Sequence, residues 1–69
     1  MSLYRKTQEE IYDFLITDYV LSEEAKHKIK NELIDGEVLY ELNDDDLKNL
    51  GLVEIQIKLI KYTIEKEKT

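Results

Sequence analysis

Apolar residues recur in several separate stretches of this chain at intervals of three and four, the repeat of one face of a helix. Thr7-Gln8-Glu9-Glu10 has the form of a capping box, in which the threonine oxygen takes a backbone N–H and the glutamate reaches back. Ile11, Phe14 and Leu15 follow at helical spacing, so a first helix is expected from about residue 8 to 17. Residues 17–21 read as a connector with buried aliphatics. Ser22 then caps a second helix, whose first turn sets Glu23 and Glu24 against the positive end of the helix dipole. It is expected to reach about Glu32, with Ala25, Ile29 and Leu33 on one face and Lys26, Lys28 and Lys30 largely elsewhere.

Asp35-Gly36 holds the first of two glycines, and the aspartate is able both to turn the chain and to cap a short helix through Leu42. Asn43 caps a fourth helix that begins Asp44-Asp45-Asp46, turns Leu47 and Leu50 inward and ends with Gly51 in the left-handed position. The last and longest helix runs from about Glu54 to Lys66, where Ile57, Ile60 and Ile64 form a core stripe. The expected fold is all-α, a bundle of four short helices and a longer C-terminal one. Residues 7–66 make the domain, with tails at 1–6 and 67–69.

Composition narrows this further. Sixty-nine residues hold one domain, and 42% apolar with 38% charged residues, two glycines and no proline excludes disordered, collagen-like and sandwich profiles. The absence of cysteine removes disulfides and thiolate metal sites and fits a reducing compartment, the cytoplasm or nucleus. No apolar run is long enough for a membrane span or a signal peptide, so no membrane insertion is expected.

Charge is concentrated locally. The net charge is −6, yet Glu32, Asp35, Glu37, Glu41, Asp44, Asp45 and Asp46 put seven acids and no base into fifteen residues, and the rest of the chain is close to neutral. Such a face steers basic protein surfaces toward itself and phosphate backbones away.

The run Ile34-Asp35-Gly36-Glu37-Val38-Leu39-Tyr40-Glu41-Leu42-Asn43-Asp44-Asp45-Asp46-Leu47-Lys48-Asn49-Leu50-Gly51-Leu52 resembles the central signature of the sterile alpha motif (SAM) domain, roughly I-D-G-x-x-L-L-x-L-T-E-E-D-L-K-x-L-G-I, in register without a gap. Ile29 falls where that family usually has a Phe, and Ile11, Phe14 and Leu15 are similar to its first-helix V-x-x-W/F-L pattern. The resemblance extends from about Thr7 to Ile64. It departs from the family near Lys6, where a Trp is common and the nearest aromatic is Tyr4. It departs again at the last helix. One deletion in the preceding connector matches Ile60 and Ile64 to two family isoleucines, but places Ile55 and Ile57 where the family has Gly and Arg.

The resemblance implies a module that binds protein, in which a mid-loop surface of one SAM domain meets an end-helix surface of another. Glu37, Glu41, Asp44, Asp45 and Asp46 would form the mid-loop group, with Glu32 and Asp35 on its rim. Val53, Ile55, Gln56, Lys58 and Lys61 would form the end-helix group. Leu59 and Tyr62 are left toward its side. The implied partner is another SAM-domain protein, with head-to-tail pairing of this chain with itself as the alternative. Such a module would act as an adaptor within a larger signalling or scaffold protein.

Chemistry of other kinds has few candidates. His27, between Lys26 and Lys28, reads as a solvated imidazole. A calcium loop starting at Asp44 would put Asn49 where its glycine belongs and Ile55 where its bidentate glutamate belongs. No catalytic residue, cofactor, metal site or small-molecule substrate is therefore expected. Lys26, Lys28 and Lys30 with Lys58 and Lys61 are few for phosphate contacts against the acidic total, so RNA stem-loop binding ranks below protein binding.

Overall fold

At the start of four of the five helices a side chain takes a backbone N–H that the first turn leaves unpaired. In the computed structural model, which describes residues 2–68, the five helices are α1 (Gln8–Asp18), α2 (Glu23–Asn31), α3 (Gly36–Glu41), α4 (Asp44–Asn49) and α5 (Glu54–Lys68). The Thr7 hydroxyl accepts from the Glu10 N–H at 3.2 Å, and the Glu10 carboxylate accepts from the Thr7 N–H at 2.9 Å. That backbone donor holds the Glu10 carboxyl below its ordinary pKa. Ser22, Asp35 and Asn43 cap α2, α3 and α4 by accepting from Ala25, Val38 and Asp46 at 3.1, 2.9 and 2.8 Å. Asp46 completes a second capping box by accepting from the Asn43 N–H at 3.1 Å.

The core lies between α5 and the four shorter helices and is wholly aliphatic. Ile11, Leu15, Ile29, Leu39, Leu47 and Ile60 are its largest fully buried side chains, and no polar side chain is buried with them among the described residues. Ile57, Ile60 and Ile64 all face inward, as their spacing predicts. The Cα radius of gyration, 10.8 Å, matches the roughly 11 Å expected of a folded domain of this length. The expected all-α five-helix bundle is therefore the observed one.

Two apolar positions face the other way. Val20, expected to be buried in the α1–α2 connector, is 94% exposed. The backbone at Tyr19 is extended, and extended backbone sends successive side chains to opposite sides, so Tyr19 is half-buried, Val20 points out and Leu21 points in. Leu33, placed by its spacing with Ala25 and Ile29, is 60% exposed. Helix α2 stops at Asn31, and Leu33 adopts φ 54°, the left-handed conformation that reverses a helix end. Ile34 takes the inward position instead.

The expected tails belong to the packed structure, and only Met1 and Thr69 lie outside the described residues. Leu3–Arg5 forms one 3₁₀ turn with Leu3 in the core. Lys6 accepts the Gly36 N–H at 2.9 Å, so this N-terminal strap crosses the start of α3. A Cβ on Gly36 would lie 1.9 Å from the Leu3 carbonyl oxygen, which no rotamer change relieves. Gly51 is needed for two other reasons: its φ is 97°, and its Cβ would sit 3.0 Å from the Ala25 Cβ.

Helix α5 closes the strap from the far end of the chain. The Glu67 carboxylate accepts from the Leu3 N–H at 2.7 Å and also from the Tyr40 hydroxyl of α3. Partial burial pushes the Glu67 carboxyl up, but the Tyr40, Leu3 and Ser2 donors outweigh it and hold it below its ordinary value. Burial, reinforced by the Glu67 carboxylate, pushes the Tyr40 hydroxyl up.

Candidate functional site

Charged side chains at the start of a short helix serve two ends, since one that caps the helix is held by its backbone and one that does not is free to meet a partner. On the α3–α4 face the seven acids divide along this line. Asp35 caps α3 and Asp46 belongs to the α4 capping box. Asp44 pairs with Lys61 at 3.7 Å. Glu32, Glu37, Glu41 and Asp45 are exposed, and their carboxylates have neither ion pair nor hydrogen bond among the described residues.

The same face holds an open groove of about 370 Å³ between the end of α2, α3 and α4. Ile34, Val38, Leu42 and Leu50 supply its apolar lining, and Glu32 and Asp46 its acidic walls. Lys28 also lines it. Its ammonium donates to the Asn49 carbonyl at the end of α4 at 3.3 Å and pairs with Glu24 at 3.4 Å. A contact over 21 residues leaves no trace in local spacing.

The end-helix group does not stay together. Val53, Ile55 and Lys58 face outward at the start of α5. Gln56 is a clamp: its side-chain oxygen accepts the Val53 N–H at 3.0 Å and its amide donates to the Val20 carbonyl at 2.8 Å. Lys61, expected beside Lys58, turns to the other surface. It donates to the Leu42 carbonyl at the end of α3 at 2.9 Å, in addition to its pair with Asp44. One expected end-helix residue is thus bound to one expected mid-loop residue. Lys58 pairs with Glu54 at 3.9 Å, both side chains well exposed, so little uncompensated positive charge remains at the start of α5.

Leu59 and Tyr62 are 47% and 61% exposed on the outside of α5, in line with Ile55 at 62%. This stripe lies opposite Ile57, Ile60 and Ile64.

His27 is exposed, 3.0 Å from the Asn31 amide. Among the described residues no three His, Cys, Asp or Glu side chains converge as metal ligands, and no helix is long and apolar enough to cross a membrane. Compared with family models, curated proteins and solved structures, the chain matches none.

Proposed function

We propose that this chain is a SAM-like interaction module without catalysis of its own, which pairs through its acidic α3–α4 face with a basic end-helix surface of another SAM-domain protein. The observation that carries this reading is the set of four uncommitted carboxylates on this face, Glu32, Glu37, Glu41 and Asp45, together with an apolar-lined groove whose acidic walls are Glu32 and Asp46. Charge speeds encounter and sets orientation, while desolvated apolar contact supplies affinity, and this face offers both. The role that fits is an adaptor within a larger intracellular signalling or scaffold protein, cytoplasmic or nuclear. Head-to-tail self-association is second. Val53, Ile55 and Lys58 support it by facing outward, but the Lys58–Glu54 and Lys61–Asp44 pairs leave that face short of free cations. RNA is third, because Lys26 and Lys28 already pair with Glu23 and Glu24 and Lys30 lies 5.7 Å over the Tyr12 ring.

The test is titration calorimetry against a panel of SAM domains with basic end-helix surfaces. Glu41→Lys with Asp45→Lys is expected to abolish binding that the unaltered chain shows, with helical circular dichroism unchanged. Binding that survives both reversals sinks the mid-loop assignment. A stem-loop RNA retarded at low salt and released by added salt would favour the third reading.

A further inference from the structure

The outer face of α5 carries a pattern that the acidic face does not explain. Ile55, Leu59 and Tyr62 follow the four-then-three spacing of a coiled-coil seam, and Lys66 continues it with its ammonium 5.4 Å from the Tyr62 ring. Lys58 and Glu65 stand seven residues apart on one side of this seam, and the neutral Gln56 and Thr63 stand seven apart on the other. The two flanking charges have exposed partners on their own helix, Glu54 at 3.9 Å and Lys68 at 3.8 Å, and exposed pairs of this kind exchange at little cost.

We infer that the outer face of α5 is a self-pairing surface, on which a second copy of this chain docks with its own α5 antiparallel about a twofold axis. The charges select both the direction and the register. When Leu59 lies opposite Tyr62 of the second copy, Ile55 meets the aliphatic stem of its Lys66, and Lys58 faces its Glu65. The twofold axis makes each of these contacts occur twice. Sliding the pair by one heptad sets Lys58 against Lys58. A parallel pair stacks Lys66 on Lys66 and leaves Lys58 facing Thr63. A twofold contact also closes on itself, unlike head-to-tail pairing, which builds an open chain. A stable interface hides about 800 Å² on each partner, about a sixth of this chain's 4863 Å². One three-turn stripe falls short of that, so the dimer is weak, with a Kd on the order of 100 µM. It leaves the α3–α4 face open and stands independently of the function proposed for that face.

Sedimentation equilibrium from about 10 µM to about 1 mM brackets that affinity. The expected result is a monomer–dimer equilibrium that saturates at two copies. Lys58→Glu or Glu65→Lys alone puts like charges together twice, and each is expected to weaken the dimer about tenfold. Both reversals in one chain restore the opposite charges and bring the affinity back to within about threefold of the original. Leu59→Asp, which leaves the core stripe untouched, abolishes the dimer while circular dichroism stays helical. Asp45→Lys leaves the dimer intact. A monomer throughout, a doubly reversed chain no tighter than the single ones, or growth beyond two copies that Asp45→Lys stops would each overturn the inference.

Discussion

On the α3–α4 face seven acids lie within fifteen residues, whereas the outer face of α5 sets three large apolar side chains between charges of both signs. The helices beneath differ as well. Helices α3 and α4 have six residues each, too few to hold without caps, while α5 has fifteen. Short helices consume acids as caps, so Asp35 and Asp46 are fastened to backbone N–H groups. The longer helix is held by Ile57, Ile60 and Ile64 from below, and its outer charges Lys58 and Glu65 pair with exposed neighbours on the same helix instead of capping it. A tally of charges along the chain therefore overstates what the acidic face offers a partner and understates what α5 offers.

The largest effect expected from breaking this contrast comes from beneath the acidic face. Leu47 is fully buried on the short α4. Leu47→Ala removes its packing and leaves a cavity, at a cost of about 3 kcal/mol. Leu59→Ala, on the exposed side of α5, should cost less than about 0.5 kcal/mol. Urea denaturation of the two variants measures the difference, and equal costs would mean that the short helices do not depend on the core in the way argued.

A second, more local effect cuts a link between the two regions, the Glu67 clasp that ties α5 to the strap and to Tyr40 of α3. The folded Glu67 carboxyl titrates below its ordinary value of 4.5. Its contribution is therefore complete above that value and lost as the pH falls through the lower folded one. Tyr40 is shifted the other way, above its ordinary 10.0, so its contribution is complete below 10.0 and lost as the pH rises through the higher folded value. The strap should stay docked across neutral pH and loosen at both extremes. The methyl resonances of Leu3, followed by NMR from acid to alkaline pH, report this directly. Glu67→Gln should remove the acid limb, and an unchanged acid limb would place its origin elsewhere.

The parts of this fold that are legible in the sequence are local. Thr7 with Glu10 and Asn43 with Asp46 satisfy groups three residues away, and the isoleucine stripe of α5 needs only its own spacing. What spacing hides is set by distant segments. Gly36 reads as a turn residue, but the strap passing over it makes its missing side chain necessary. Lys61 reads as part of the α5 surface until the α3–α4 junction offers it the Leu42 carbonyl and Asp44, 19 and 17 positions back. The acids of the candidate site were all legible as charge. Their division into fastened and free was not, because it depends on which backbone N–H or ammonium each one meets.

The smallest effect falls on Leu33, at the edge of the acidic face where periodicity and structure part. Two terms compete there. A leucine in the left-handed region costs about 1–2 kcal/mol relative to a right-handed residue, and glycine relieves that strain at an entropic cost of about 0.5–1 kcal/mol. Leu33 lines an open groove with Tyr12 and Ile34, so trimming its side chain forfeits some apolar contact, but at 60% exposure little of it is buried. Strain relief should win narrowly, and Leu33→Gly is expected to raise the urea midpoint by the equivalent of about 0.5 kcal/mol. Leu33→Val, whose branched side chain is least suited to positive φ, should lower it. A glycine variant less stable than the valine one would show that Leu33 is held by its apolar contacts and that the helix end tolerates the strain for their sake.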